Sequence, residues 1–198
     1  MQKIIPCLWF ENNDAEAAIG FYAAVFDNVK IVSELRNGEA GPGPQGSLLM
    51  AEFELDGVRF QALNGGPHET FNDSISLSVT CGTQEEVDRY WDRLVEGGGR
   101  HVQCGWLKDR FGISWQIVPE MLPRLLRDPD KAKAARVMRA MIARGMVPTA
   151  TAGSRICLTA SAKTSQRQVR IAFRIFSRLI NSSTLARMPL PTSSPQTS

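Results

Sequence analysis

Apolar and polar positions along the first 119 residues switch between a period of two and a period near 3.6, and the series runs twice. KIIPCLWF is a short apolar run that suits a strand, with Pro6 favouring a strand start or a sheet edge. NNDAEAAIGFYAAVFDN then spaces Ala18, Phe21, Tyr22 and Val25 as one helical face, with Asn13 or Asp14 standing where a cap belongs. VKIVSEL is β-branched and strand-like, and RNGEAGPGPQG is a Gly/Pro loop without regular structure. SLLMAEFEL and VRFQALN flank Asp56-Gly57, a strong hairpin signal. The series restarts with SISLSVTC, where serines alternate with Ile75, Leu77 and Val79 as in a half-buried strand. TQEEVDRYWDRLVEGGG carries a Thr83/Glu86 capping box and places Gly97 past its end. RHVQCGWLKD and ISWQIVP supply the closing strands, joined at Arg110-Phe111-Gly112.

The two series share a written strand. Gly57–Leu63 reads GVRFQAL and Gly112–Val118 reads GISWQIV, which sets Gln61 and Gln116 at matching places 55 residues apart. An internal repeat of this size predicts two copies of one strand–helix–strands module, an α+β fold. The strand period then divides the side chains. Val58, Phe60 and Ala62 share one face with the helices, as do Ile113, Trp115 and Ile117 in the second copy. Arg59, Gln61 and Leu63 take the other face, as do Ser114, Gln116 and Val118. By the same alternation Ser74, Ser76 and Ser78 join the glutamine face, and Cys7 and Trp9 join it from the first strand. After Pro119 the pattern turns helical: PEMLPRLLRD is broken at Pro123, and DPDKAKAARVMRAMIAR carries an apolar stripe expected to pack on the domain or on a second subunit.

Composition narrows the class. Apolar residues make up 43% of the chain and charged residues 22%, as in a soluble globular protein. The N-terminus lacks the apolar core of a secretion signal, and no uncharged apolar run reaches membrane-spanning length. Cys7, Cys81, Cys104 and Cys157 form no C-x-x-C pair, so reduced thiols and a cytoplasmic location are expected. The net charge of +3 hides a split: residues 1–147 hold 16 basic and all 20 acidic residues, whereas residues 148–198 hold seven basic and no acidic ones. This sets a boundary near Gly145–Pro148, with domain 1–147 (modules 1–66 and 72–119, helical extension 120–147) ahead of a Ser/Thr-rich basic tail expected to be flexible. Within the tail, RQVRIAFRIFSRLI would be basic and amphipathic as a helix, fit for a membrane surface, an acidic partner or nucleic acid, but the tail reads rather as a dispensable extension or a reading-frame change that replaced the normal end; neither a nucleic-acid nor a membrane partner is expected.

PCLWFENNDAEAAIGFYAAVF, FELDGVRFQALNGGP, FNDSISLSVTCGTQEEVDRYWDRLVEGG, QCGWLKDRFGISWQIVP and DPDKAKAARVMRAM together resemble the PhnB-like family, many of whose members carry the label 3-demethylubiquinone-9 3-methyltransferase. That family lies in the vicinal oxygen chelate superfamily, with the glyoxalases, bleomycin-resistance proteins and extradiol dioxygenases. The resemblance covers residues 1–147. It implies two βαβββ modules, each curling a sheet into half a cup, and a homodimer.

In metal-using relatives, the resemblance implies, the last strand of each module presents a carboxylate and the first a histidine or similar donor. Here the carboxylate places match Gln61 and Gln116. The first-strand places match Cys7 (Ile5 and Trp9 lie one strand period away) and Ser74 or Ser76. Amides and hydroxyls are poor donors for a divalent ion, so no metal and no cofactor are expected. The expected lining is Cys7, Trp9, Arg59, Gln61, Ser74, Ser76, Ser114 and Gln116, with Arg59 its one charged group. Amides both donate and accept, so the paired glutamines either orient a neutral polar ligand or bond each other across a filled interior. Cys7 and Cys104 read as small buried thiols, and His68 and His101 fall in loops. NGGPHETFN has no phosphate-cradle spacing; it links the modules, and His68, Phe71 and Asn72 are candidates to close over the hollow. The glycine-rich first turn that S-adenosylmethionine enzymes need is missing. The reading is a small-molecule-binding homodimer without a pre-formed metal site. The alternative is an enzyme of the superfamily, a lyase, a dioxygenase or the methyltransferase of the family label, acting on a small metabolite.

Overall fold

The computed structural model describes residues 2–102 and 105–143. Cys104, Cys157, the boundary near Gly145–Pro148 and the basic tail lie outside them. The order is β1 (Cys7–Phe10), α1 (Ala15–Val25), β2 (Val29–Arg36), β3 (Leu48–Leu55), β4 (Val58–Asn64), then β5 (Leu77–Cys81), α2 (Gln84–Arg93), β6 (Arg100–His101), β7 (Trp106–Lys108), β8 (Ser114–Pro119), and finally α3 (Met121–Leu126) and α4 (Lys131–Ala143). The two halves repeat one topology. The first sheet runs β1-β4-β3-β2 and the second β5-β8-β7-β6. In each, the first strand lies parallel to the last and the rest are antiparallel. This is the α+β arrangement of two βαβββ modules that the repeat predicts.

Local signals explain most of the elements. Asp56 (φ 50°) and Gly57 (φ 81°) make a tight turn between β3 and β4, with both central residues left-handed as a two-residue hairpin requires. The Thr83 hydroxyl accepts from the Glu86 amide at 3.2 Å, and the Glu86 carboxylate accepts from Thr83 and Gly82 in return. The start of α1 differs from expectation. Neither Asn13 nor Asp14 caps it through its side chain; Asn64, at the end of β4, accepts from the Ala15 amide at 3.0 Å and donates to the Leu48 carbonyl at 2.8 Å. One long-range amide therefore satisfies a helix end and ties it to two strands. β5 also starts later than its alternation predicts. Ser74 and Ile75 stay in the preceding turn, and Ile75 is 80% exposed.

α1 is the centre of the molecule. It packs on β3 of its own sheet, and Tyr22 and Phe26, the residue that ends the helix, meet Trp115 of β8, with ring centroids 5.5 and 5.4 Å apart. Phe21 and Tyr22 also meet Phe111 of the β7–β8 turn. Contact with both modules explains why its buried set is so broad, from Ala15 and Ala18 through Phe21 and Tyr22 to Val25. Phe60, Ala62, Trp115 and Ile117 are buried in this shared core, as the strand period predicts, whereas Val58 at the hairpin is 46% exposed. Phe71 packs edge-on against Phe10, 5.4 Å between centroids. It belongs to the core margin, not to a closing flap. His101 lies on β6, stacked on Trp91 and bonded to the Trp91 carbonyl, where the sequence suggests a loop.

The helical extension has a small core of its own. Leu125, Val137 and Met141 are buried together, with Met121, Leu122 and Leu126 packed against them. The stripe of α4 thus packs on α3. No helix among the described residues is long and apolar enough to cross a membrane.

Candidate functional site

The register places the two glutamines identically. Gln61 on β4 lies opposite Cys7 of β1 and Glu52 of β3; Gln116 on β8 lies opposite Ser78 of β5 and Trp106 of β7. In each sheet this face is the one turned away from the shared core. Gln116 Nε2 donates to Ser76 Oγ at 2.8 Å, so this amide is already oriented. The serine matched to Cys7 in the repeat is Ser78, directly opposite Gln116; Ser74 is exposed in the turn, and its amide hydrogen bonds to Asn72. Ser114 lies at the sheet margin, 2% exposed, and donates to Asp73 at 2.8 Å.

The first sheet's face is more charged than expected. Arg59 pairs with Glu52 (2.9 Å) and Glu54 (3.3 Å) across β3 and β4, so it is not an isolated cation. The alternation Glu52, Phe53, Glu54, Leu55 carries this signal, since the phenylalanine and leucine are core residues and the glutamates must face the other way. On the second sheet the same face carries Trp106 and Lys108, and Lys108 pairs with Asp73 at 2.8 Å. The Lys108 and Ser114 hydrogen bonds hold the Asp73 carboxyl below its usual range.

Beside Trp9, at the end of the first sheet, lies a cavity of about 620 Å³. Its floor comes from Trp9, Leu49 and Leu63, and its wall from Pro42 and Pro44 of the β2–β3 loop. Two neighbouring glycines set the indole. Trp9 Nε1 donates to the Gly66 carbonyl at 2.9 Å, and Gly66 holds φ at +77°. A Cβ at Gly65 would lie 2.2–2.5 Å from Cε2, Cζ2 and Cδ2 of the ring, so the glycine backbone lies against the indole. The Gly/Pro loop is irregular but built around Asn37, which is 7% exposed. Asn37 donates to Ser47 Oγ (2.9 Å) and accepts from the Gly43 amide (3.3 Å). Neither Asn37 nor the cavity stands out in the sequence, because the loop's own period is absent and its anchor is one amide.

Both described cysteines are free. Cys81 is fully buried, which pushes its thiol up to about 12. Cys7 is exposed, contrary to the buried thiol expected, yet partial shielding still raises its pKa. Neither is tuned as a nucleophile, which needs a lowered pKa. Among the described residues, no group of three or more His, Cys, Asp or Glu side chains could hold a metal ion. On the first-strand side of each sheet, the side chains beside the two glutamines are hydroxyls and one thiol; amides and hydroxyls are weak donors for a divalent ion, and Cys7 alone does not make a metal site.

A buried carboxylate that the sequence did not single out joins the modules. Asp109 is 3% exposed. Its Oδ2 accepts from the Tyr22 hydroxyl (2.8 Å) and Trp115 Nε1 (2.9 Å), and its Oδ1 from the amides of Phe111 (2.9 Å) and Ile113 (3.0 Å). Burial pushes its pKa up, and the four donors oppose that shift in part.

The chain is similar to a PhnB protein from Bacillus cereus at 37% identity, over 60% of this chain and 99% of that one, with a TM-score of 0.53. Protein PA1353 from Pseudomonas aeruginosa matches at 22% identity, over 61% and 98%, with a TM-score of 0.48. The fosfomycin resistance protein FosX from Listeria monocytogenes matches at 15% identity, over 64% and 98%, with a TM-score of 0.43. No curated protein matches the chain. The family model described as 3-demethylubiquinone-9 3-methyltransferase matches residues 2–118, both modules in full but for the last residue of β8. The chain, with its two four-stranded mixed sheets, belongs to the PhnB-like, 3-demethylubiquinone-9 3-methyltransferase family.

Proposed function

We propose that this chain is a cytoplasmic, homodimeric small-molecule-binding protein that works without a pre-formed metal site. The observation that carries the reading is the matched placement of Gln61 and Gln116, one per module, each on the sheet face turned away from the core. An amide at such a place offers a donor and an acceptor together and suits a polar ligand of no net charge. In one chain α1 lies between the sheets, so the two glutamine faces look outward. A hollow lined by both amides therefore needs the face of a second copy, which is the physical reason for the dimer. Cys7, Ser76, Ser78 and Trp106 flank the amides; Arg59 is held in place by its two glutamates.

The test is a thermal-shift panel of small polar compounds and of divalent ions on the full chain, with molar mass measured by light scattering. A ligand that binds only the native state raises the melting temperature by mass action. The reading expects a dimer, and a compound whose shift Gln61→Ala and Gln116→Ala each remove. A firm shift with a divalent ion that Gln116→Ala abolishes would overturn it.

A further inference from the structure

The cavity beside Trp9 is a site in its own right, because neither Gln61 nor Gln116 contributes to its lining. We propose that it binds a flat, uncharged aromatic ring, stacked on the Trp9 indole. Its volume of about 620 Å³ falls within the range of small-molecule sites, about 300–1,000 Å³.

The indole is held in place by its two glycine neighbours. The Gly65 backbone lies against one side of the ring so closely that no side chain fits there, and the Gly66 carbonyl fixes the ring nitrogen. A ring immobilised in this way offers the cavity a flat apolar surface without an ordering cost at binding. Pro42 and Pro44 line the same cavity, on a loop that Asn37 locks from inside.

The polar lining argues for an uncharged occupant. Asn37 is taken up by Ser47 and Gly43, Asn64 by Ala15 and Leu48, and Trp9 Nε1 by Gly66. Glu16 is the one charged side chain of the lining, and Arg36 holds it at 2.9 Å. No cationic side chain lines the cavity to receive an anion. Apart from the exposed Asn13 amide, what remains uncommitted in the lining is apolar surface from Trp9, Leu49, Leu63 and the two prolines. Such a surface selects by shape and by the face of the ring, since offset stacking adds to simple burial.

The experiment titrates the full chain with 2-naphthol, 2-naphthoate and decahydro-2-naphthol, read by calorimetry. Saturable binding of 2-naphthol is expected, with the anion and the saturated, puckered analogue each at least tenfold weaker. Trp9→Ala should lose at least tenfold in affinity. Trp9→Phe, which keeps a smaller ring, should lose less, and Leu63→Gln should weaken binding in a protein whose β-sheet signal in circular dichroism is unchanged. Gln61→Ala and Gln116→Ala should bind 2-naphthol as the parent does. The proposal is overturned if 2-naphthol shows no saturation, if the decahydro analogue binds equally well, or if Trp9→Phe and Leu63→Gln leave affinity unchanged. It is also overturned if Gln116→Ala abolishes binding while the Trp9 variants retain it, which would assign the compound to the glutamine faces.

Discussion

The Tyr22 hydroxyl donates to Asp109 Oδ2 at 2.8 Å, across 87 residues of sequence and from one module to the other. The same oxygen accepts from Trp115 Nε1, and the other from two backbone amides. All four partners donate, so the site needs an acceptor on both sides. Asp109→Asn is isosteric but puts an NH2 group against donors whichever way it turns. With the NH2 on the Oδ1 side the Phe111 and Ile113 amides lose their acceptor; on the Oδ2 side Trp115 Nε1 loses its acceptor and the Tyr22 hydroxyl must turn from donating to accepting. The expected cost is about 2–4 kcal/mol, against about 1–2 for Tyr22→Phe, which removes one bond and leaves three. Urea unfolding measures both as changes in midpoint at constant slope. A neutral Asp109→Asn would mean that the buried carboxylate adds nothing to the joining of the modules.

Two carboxylates should pull the acid profile in opposite directions. Burial raises the native pKa of Asp109 above its ordinary value of 3.8. Its contribution is therefore full below that value and is lost as pH rises through the higher native pKa. The native pKa of Asp73 is depressed by Lys108 and Ser114, so its contribution is present above 3.8 and lost as pH falls through the lower native value. Asp73 is 68% exposed, which limits its share to about 1 kcal/mol at most. Asp73→Asn should therefore be less stable than the parent at pH 7, and the gap should close at the acid end. Unfolding of both proteins in parallel, at pH 7 and below pH 3, reads this directly; a gap that persists in acid would remove the Lys108 pair as its cause.

Gly65 and Gly66 are neighbours with different tasks, and substitutions should separate them. An alanine methyl at 65 must displace the Trp9 ring, costing about 1–3 kcal/mol through overpacking. At 66 the space is open, and only the left-handed backbone is strained, by about 1 kcal/mol. Gly65→Ala should also move the tryptophan emission, because the half-buried Trp9 indole shifts while Trp91 and Trp115 stay in the core. Gly66→Ala should leave the emission near that of the parent. Equal spectral changes in both variants would count against the close approach at Gly65.

What could be read from the sequence was what the chain decides locally or repeats. The Asp56-Gly57 turn, the Thr83/Glu86 box and the α1 face needed only a few consecutive residues, and the duplicated strand placed Gln61 and Gln116 on matching faces. The first sheet's charge was also written, in the glutamates that alternate with Phe53 and Leu55, but Arg59 was read without its cross-strand neighbours. Asn37, Asn64 and Asp109 were not legible. Asn64 meets Ala15 across 49 residues and Asp109 meets Tyr22 across 87, and no local period marks a lone polar side chain whose partners arrive only with tertiary packing. The cavity at Trp9 follows the same rule, since β1, the start of β3, the β2–β3 loop and the module linker close it together. Serine alternation misplaced Ser74 because a turn, and not the strand, occupies positions 73–75.

Asn64 offers the sharpest test of how far one polar side chain organises the first module. Its carbonyl oxygen takes the Ala15 amide, one of the amides that a helix start leaves without an internal partner, and its amide group reaches Leu48 on β3. Asp14, the residue at the usual capping place, makes no side-chain cap bond. Asn64→Ala should therefore cost about 1–2 kcal/mol, the range for losing a helix cap. Asn64→Asp keeps the acceptor for Ala15 and places a negative charge at the helix start, but sets a carboxylate oxygen against the Leu48 carbonyl, so it should recover no more than part of the loss. Asp14→Ala should change stability by less than about 0.5 kcal/mol, because no cap is lost. Native-state hydrogen exchange locates the effect: the first turn of α1 should lose protection in Asn64→Ala and keep it in Asp14→Ala. If Asp14→Ala proves the more damaging, the helix is started by its own sequence after all, and Asn64 serves only to fix the end of β4.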